Sequence, residues 1–258
     1  MFAGFPTWMW RNREVADFVA MLTDLLQKQR AYAERDGERV LDAMQNARLV
    51  ANAERYYRIM YYGSRASWNL RDTHMFETLQ TLLAFHGPAS NAIVWAHNSH
   101  VGDSLATEME ARGEFNIGRL CRVAFGASMY SVGFGTHRGT VAAATDWDSP
   151  LEVKRVRPAL AGSYEALCHD AGGAQWLLPL RAPLTSDIVD RLSKPLLERA
   201  IGVIYRPQTE RQSHYFQARI TDQFDALIHV DRSTALVPLE PSPHWYHEEV
   251  PETYPSGL

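Results

Sequence analysis

The pattern of apolar positions changes character about a third of the way along the chain. In the first third it has helical spacing. Val15, Phe18, Val19, Leu22, Leu25 and Leu26 share one helical face behind Asn12, a residue of N-cap type. Gly37 is expected to break this helix. Leu49, Val50, Ala53, Tyr57 and Met60 form a second stripe that stops at Gly63. A third helix is expected from near Ser67, with Leu70, Met75, Leu79, Leu82 and Leu83 inward, ending at Gly87-Pro88.

After residue 90 short apolar runs of buried-strand type appear. They are Ala92–Ala96, Met129–Phe134, Thr140–Ala144, Gln175–Leu180, Ala200–Tyr205 and Ala226–Val230. Helical stretches lie between several of them, at Ile117–Phe125, Tyr164–Ala171 and Ser186–Leu192. Strands alternating with helices predict an α/β fold, a mainly parallel sheet flanked by helices, behind a helical N-terminal segment. No linker, repeat or charge block divides the chain. One domain is expected over 1–258, helical over 11–86 and α/β over 90–238, with a Pro-, His- and Glu-rich surface tail.

Composition narrows the function classes. Lys plus Arg is 26 and Asp plus Glu is 30, a net charge of −4. That balance argues against a nucleic-acid partner, which calls for a basic surface. Hydrophobic residues at 46% and charged residues at 22% describe a globular chain. No apolar run approaches the ~18 residues of a membrane-spanning helix. Cys121 and Cys168 read as thiols of a reducing compartment. The aromatic, uncharged opening is no signal peptide. Together these point to the cytoplasm.

The densest chemistry is Trp95-Ala-His97-Asn98-Ser-His100-Val-Gly-Asp103, which follows the first strand-like run. Ile93–Trp95 is expected to be a central buried strand. Polar groups at the carboxyl end of such a strand suit a site. Two histidines, an amide and a carboxylate offer a base, an electrophile and an orienting partner. The bland alternative is that one histidine caps a helix starting near Ser104 while the other binds backbone. As a metal pair, His97 and His100 lack a fixed geometry and companion ligands, so a metal-free site without cofactor is preferred. His244 and His247 read as solvent-exposed. No G-x-S-x-G elbow or Walker loop is present. Water activated by histidine is therefore the expected nucleophile.

Secondary candidates surround this cluster. Gly133-Phe-Gly135-Thr-His137-Arg-Gly139 is one residue longer than a dinucleotide fingerprint and reads as a tight strand-to-strand turn, with His137 at the site edge. Trp68-Asn-Leu-Arg71-Asp72 reads either as an amphipathic surface or as an orienting Arg–Asp pair lining a cavity. Arg206 to His214 follows another strand-like run, which makes His214 a candidate.

Several of these strings resemble the erythromycin esterase family, including its members named for succinoglycan biosynthesis. They are the opening Phe5-Pro-Thr-Trp-Met-Trp-Arg-Asn12, Gln45-Asn-Ala-Arg48, Ala53-Glu-Arg-Tyr-Tyr-Arg58, Trp68-Asn-Leu-Arg-Asp72 with His74-Met75, Trp95-Ala-His-Asn-Ser-His100, Gly133-Phe-Gly-Thr-His137, Ala200-Ile-Gly-Val-Ile-Tyr205 and Gln223-Phe-Asp-Ala226. The resemblance implies a hydrolase without the nucleophile-elbow fold, in which water opens a macrolide lactone. It implies that His97 and His100 serve as base, acid or oxyanion partners. Asn98 would donate from its amide, Arg71 would stabilise negative charge, and Trp68, Asp72, Asp103, His137 and His214 would bind substrate. The family's Gly-Glu-x-x-His signature has no match here, and Met1 aligns with the middle of family members. A C-terminal portion lacking its first strand or strands is expected, nearly inactive alone and associating through an exposed sheet edge. The partner expected is a small-molecule ester or lactone. The alternatives are a non-catalytic remnant that binds a small molecule or a partner chain, and metal-dependent hydrolysis.

Overall fold

The computed structural model describes residues 12–60, 64–147, 149–181 and 185–237. The aromatic opening and the tail after Val237, including His244 and His247, lie outside them. Two compact units are present, residues 1–90 and 91–258.

The first unit is a helical pair. α1 (Asn12–Met60) is one helix of 49 residues, and α2 (Ser64–His86) follows it. α1 runs through Gly37, which sequence reasoning took for a break. A helical glycine costs only about 1 kcal/mol against alanine, and this one lies where α2 comes close. A Cβ added there would sit 3.5 Å from the Phe85 ring. Asn52 and His74 join the helices by a 2.8 Å hydrogen bond, and Arg48 donates to Thr81 at 3.3 Å. α2 ends as expected at Gly87, whose φ is +87°.

The second unit is α/β. After a short turn, α3 (Asn98–Val101), come α4 (Ile117–Phe125), β1 (Val132–Ala143), β2 (Glu152–Val156), α5 (Tyr164–Asp170), β3 (Gln175–Pro179) and α6 (Ser186–Leu192). β4 (Leu196–Arg199), α7 (Glu210–Ser213), β5 (Tyr215–Ala218), α8 (Ile220–Gln223) and β6 (Ala226–Ser233) complete it. The main sheet has the order β2-β1-β6-β3, and β4 pairs with β5 separately. The central pair β1–β6 is parallel and both outer pairs are antiparallel, so the sheet is mixed. Local caps explain the helices. Asn116 caps α4 at the Arg119 amide, and Ser163 caps α5 at the Ala166 amide.

Three expected elements are corrected. Ala92–Ala96 is not a buried strand. The segment is irregular, with Ile93 94% and Trp95 86% exposed. Among the described residues it makes no ladder hydrogen bond, and an apolar run becomes a buried strand only with partners. Residues 133–139 are not a turn. They lie inside the single long strand β1, whose glycines serve close packing. A Cβ on Gly133 would meet the Phe224 ring at 2.7 Å, and one on Gly139 would meet the Ser233 carbonyl at 2.2 Å. The run Ala200–Tyr205 is irregular as well. It touches the sheet through a single bridge, Ala144 to Ile204.

Pleating puts Gly133, Gly135 and His137 of β1 on one face with Leu227, His229 and Asp231 of β6. α5 covers that face, and Tyr164, Cys168, Phe216, Ile220, Phe224 and Leu227 form its core. The Tyr164 hydroxyl accepts from the Ile220 amide at 3.1 Å and lies 2.9 Å from the Ala218 carbonyl. The opposite face presents Phe134, Val153 and Leu177 to solvent. No helix among the described residues is long and apolar enough to cross a membrane.

Within the core, His229 is fully buried against Trp176, and neither ring nitrogen has a hydrogen-bond partner. A buried polar group without a partner destabilises the fold. His229→Phe is expected to stabilise the protein by about 1 kcal/mol, read as a rise in thermal midpoint. Gly139→Ala is expected to destabilise it by about 2–3 kcal/mol, because φ is +134° and no space exists for the methyl group. Denaturant titration of each variant checks both.

Candidate active site

The two-histidine turn is built from backbone outward. His97 is the N-cap of α3, and His100 lies in its last turn. The His97 Nδ1 accepts from the Ser99 amide at 3.2 Å and from the Ser99 hydroxyl at 2.9 Å. With Nδ1 accepting, the proton belongs on Nε2, which donates to the Ile201 carbonyl at 3.1 Å. Desolvation, reinforced by the neighbouring His100, lowers the His97 pKa, while the Ile201 carbonyl pulls the other way. Both nitrogens of His97 are thus engaged in the neutral ring. The expected cap does involve a histidine, but it opens α3 itself. The turn beginning at Ser104 is capped by Asp103, whose carboxylate accepts from the Leu105 amide at 3.0 Å.

Asn98 ties the turn to the sheet. Its Nδ2 donates to the Phe134 carbonyl at 2.7 Å, and its Oδ1 accepts from the Phe134 amide at 3.1 Å. The side chain acts as one rung of a ladder on the β1 edge. Behind the turn, the buried Asn116 donates to the carbonyls of Ser99 and Gly102, both at 2.7 Å. α4 approaches so closely that a Cβ on Gly118 would lie 2.4 Å from the Gly102 carbonyl. These contacts give α3 a fixed backbone despite its four residues.

His137 is buried on β1 and stacks on His169 at 3.7 Å between ring centroids. His169 in turn bonds Asp231 at 2.5 Å. Burial first, then His169, lowers the His137 pKa. The buried His214 accepts from the Arg206 amide at 3.0 Å and donates to the Ala200 carbonyl at 3.2 Å, and burial lowers its pKa too. It fastens the 200–206 segment to the start of β5. Asp103 is committed to its cap and lies 3.5 Å from Arg119. Trp68, Arg71 and Asp72 belong to α2 of the first unit. There the Arg71 guanidinium sits 4.7 Å over the Trp68 ring, and Asp72 is buried. Among the described residues, no group of three or more His, Cys, Asp or Glu is placed to hold a metal ion.

Sequence reasoning missed two buried acids of the second unit. Glu198 on β4 and Glu165 on α5 are both buried. Burial first, and then the Glu165 charge, push the Glu198 pKa up to about 8. The only signal in the sequence was Glu198-Arg199, a charged pair within the apolar surroundings of Leu196, Leu197, Ala200 and Ile201.

The fold has counterparts among known proteins. The erythromycin esterase family pattern matches residues 17–233. A Bacillus cereus protein of known structure superposes with a TM-score of 0.71 at 17% identity, over 85% of this chain and 52% of its own. A succinoglycan biosynthesis protein gives 0.61 at 16%, over 85% and 53%. A mutant of the erythromycin esterase EreC in its open conformation gives 0.59 at 14%, over 85% and 52%. The chain therefore spans about half the length of these solved relatives. At these identities the structures establish the shared fold, and the family match over most of the chain establishes descent: the chain belongs to the erythromycin esterase family.

Proposed function

We propose that this chain carries the two-histidine side of an ester or lactone hydrolase site. The observation that supports this most is the fixing of α3 by Asn98 and Asn116, which holds His97 and His100 on one rigid turn. Preorganised groups are what hydrolysis by activated water requires. In this reading His100 takes a proton from water as the water oxygen attacks the carbonyl carbon. The tetrahedral intermediate then expels the alkoxide, breaking the C–O bond. The imidazolium returns the proton to that leaving oxygen, which gives an acid and an alcohol. His97, with both nitrogens in use, holds the turn and adds the Nε2–H dipole near it. The substrate class is a small-molecule ester or lactone, and macrolide-type lactones are the first to test.

One observation favours the second reading, a binding module without catalysis: the His97 ring is bonded as a cap would be. Hydrolysis assays separate the two. Turnover of a macrolide and of generic esters is expected to be low for the chain alone. It should rise when the Gly-Glu-x-x-His-bearing half of a relative is added as a separate polypeptide. His100→Asn should then lower the rate by ~100-fold or more. His97→Ala should lower both the rate and the thermal midpoint, since a lost helix cap costs about 1 kcal/mol. Undiminished turnover by His100→Asn overturns the proposal, and saturable ligand binding without turnover in any combination establishes the binding module.

A further inference from the structure

The end of α5 is fastened to the sheet by two stacked rings. His169, in the last turn of α5, lies flat on His137 of β1, with 3.7 Å between ring centroids and 7° between planes. Its Nδ1–H donates to the Asp231 carboxylate on β6 at 2.5 Å, so one side chain ties the helix to both central strands. His137 is 8% exposed, and its Nδ1 has no hydrogen-bond partner among the described residues. In the neutral ring that nitrogen is free to remain a bare acceptor. In the imidazolium both nitrogens carry a proton, and this one would point at no acceptor. The stack is not the geometry of a shared metal ion, because the lone pairs of parallel rings run side by side and do not converge.

We propose that the His137–His169 stack is an acid-sensitive latch: with His137 neutral it holds the last turn of α5 on β1 and β6, and protonation of His137 parts the rings and frees that turn and the loop after it. The latch stands apart from the hydrolase reading, which uses neither ring.

The groups around His137 set the direction. From α5 it faces His169. From β6 it faces Asp231, with the fully buried His229 3.7 Å from the same carboxylate. From β4 comes the Arg199 guanidinium, which donates to the His137 carbonyl at 2.8 Å and is paired with Glu210 at 3.0 Å. On β1 itself is Arg138, 3.9 Å from Asp231. Asp231 is hydrogen-bonded to the other ring of the stack. Two imidazoliums at this separation repel, the more so where burial lowers the effective dielectric. What gives way is local. After α5 the chain turns through Gly172 and Gly173, with φ of +82° and +86°. The Gly172 amide donates to the His169 carbonyl at 2.9 Å, the Trp176 indole to the Gly172 carbonyl at 3.1 Å, and the Asp231 amide to the Ala174 carbonyl at 2.9 Å. The other end of α5 is kept by the Ser163 cap and by Glu165, which accepts from the Arg199 amide at 2.8 Å.

The sign of the pH dependence follows. Burial first, then the His169 charge, hold His137 below the ordinary value of 6.5, while Asp231 pulls the other way. Below pH 6.5 the freed ring takes up a proton that the latched ring refuses. The latch contributes fully above 6.5 and weakens as pH falls from there toward the folded value. Asp231 is lowered from 3.8, by its bond to His169 first, so its own loss begins only below 3.8.

The test is hydrogen exchange at the Gly172 and Asp231 amides, corrected for intrinsic rates, beside an NMR titration of the histidine rings. In the parent, protection of both amides should fall about three- to ten-fold from pH 7.5 to 5.5 relative to the amides of α4, the range that one linked proton allows. The His137 ring should titrate below 6.5. In His137→Phe, which keeps a flat ring but cannot take a proton, protection relative to α4 should stay constant. Should that variant fail to fold, His137→Gln carries the same comparison: without a stacked ring its protection is weaker at pH 7.5 and again flat. Constant protection in the parent overturns the proposal. An equal fall in either variant overturns it too, since it assigns the effect to His169, Asp231 or His229. A His137 ring that titrates at or above 6.5 does the same.

Discussion

The buried guanidinium of Arg199 is the constraint on which the second unit depends. Its side chain and that of Glu210 are 2% and 1% exposed, and they meet at 3.0 Å. Removing two charges from water is costly, and hydrogen bonds to the remaining donors offset part of that cost. Here the same guanidinium donates to the carbonyls of Arg157 at 2.9 Å, Thr136 at 2.6 Å and His137 at 2.8 Å. Glu210 in turn accepts from the Tyr205 hydroxyl at 2.7 Å. One cation thus joins β4, the middle of β1, the segment after β2 and the start of α7. Loss of either partner would leave an uncompensated charge in the core, at a cost of about 3–5 kcal/mol.

That anchor bears on its surroundings in two ways. Strand alternation places Arg199 and its neighbour Glu198 on opposite sides of β4. With Arg199 fixed on one side, Glu198 is buried on the other. The second effect runs along the backbone to the histidine turn. Ile201, whose carbonyl receives the Nε2–H of His97, follows Arg199 by two residues, and Ala200 between them is held by the His214 ring and carbonyl. The position of His97 therefore depends on contacts far from it in sequence, and α3 is rigid through its surroundings more than through its own four residues.

This dependence explains what could and could not be read in the sequence. α4 and α6 were legible to the residue because their caps, breakers and apolar spacing are local. β3 and β6 were legible as apolar runs between turn residues. The Trp95–His100 string was legible as chemistry and as a mark of the family. Ile93–Trp95 has every local property of a strand and is not one, because pairing is supplied by other chain segments. Gly133, Gly135 and Gly139 looked like a turn because glycine signals both conformational freedom and close approach, and only the position of Phe224 and Ser233 distinguishes these. Glu165 and Glu198 lie 33 positions apart, so no spacing rule joins them, and neither shows in sequence that it is buried.

The histidines show why residue type is a weak guide to role. Burial lowers the pKa of His97, His137, His214 and His229, so all four favour the neutral ring at pH 7. Their nitrogens differ. His97 and His214 spend both on hydrogen bonds, most of them to backbone, and work as joints. His137 stacks on a ring that is itself bonded to Asp231, and the His229 Nε2 lies 3.7 Å from the same carboxylate, beyond hydrogen-bond distance. A neutral imidazole is the form that accepts a proton, but acceptance also needs a nitrogen within reach of water. The joints are closed to that role by their hydrogen bonds, and His229 by its burial. Within the Trp95–Asp103 string, the hydrogen bonds of His97 make it the joint that fixes the turn carrying His100.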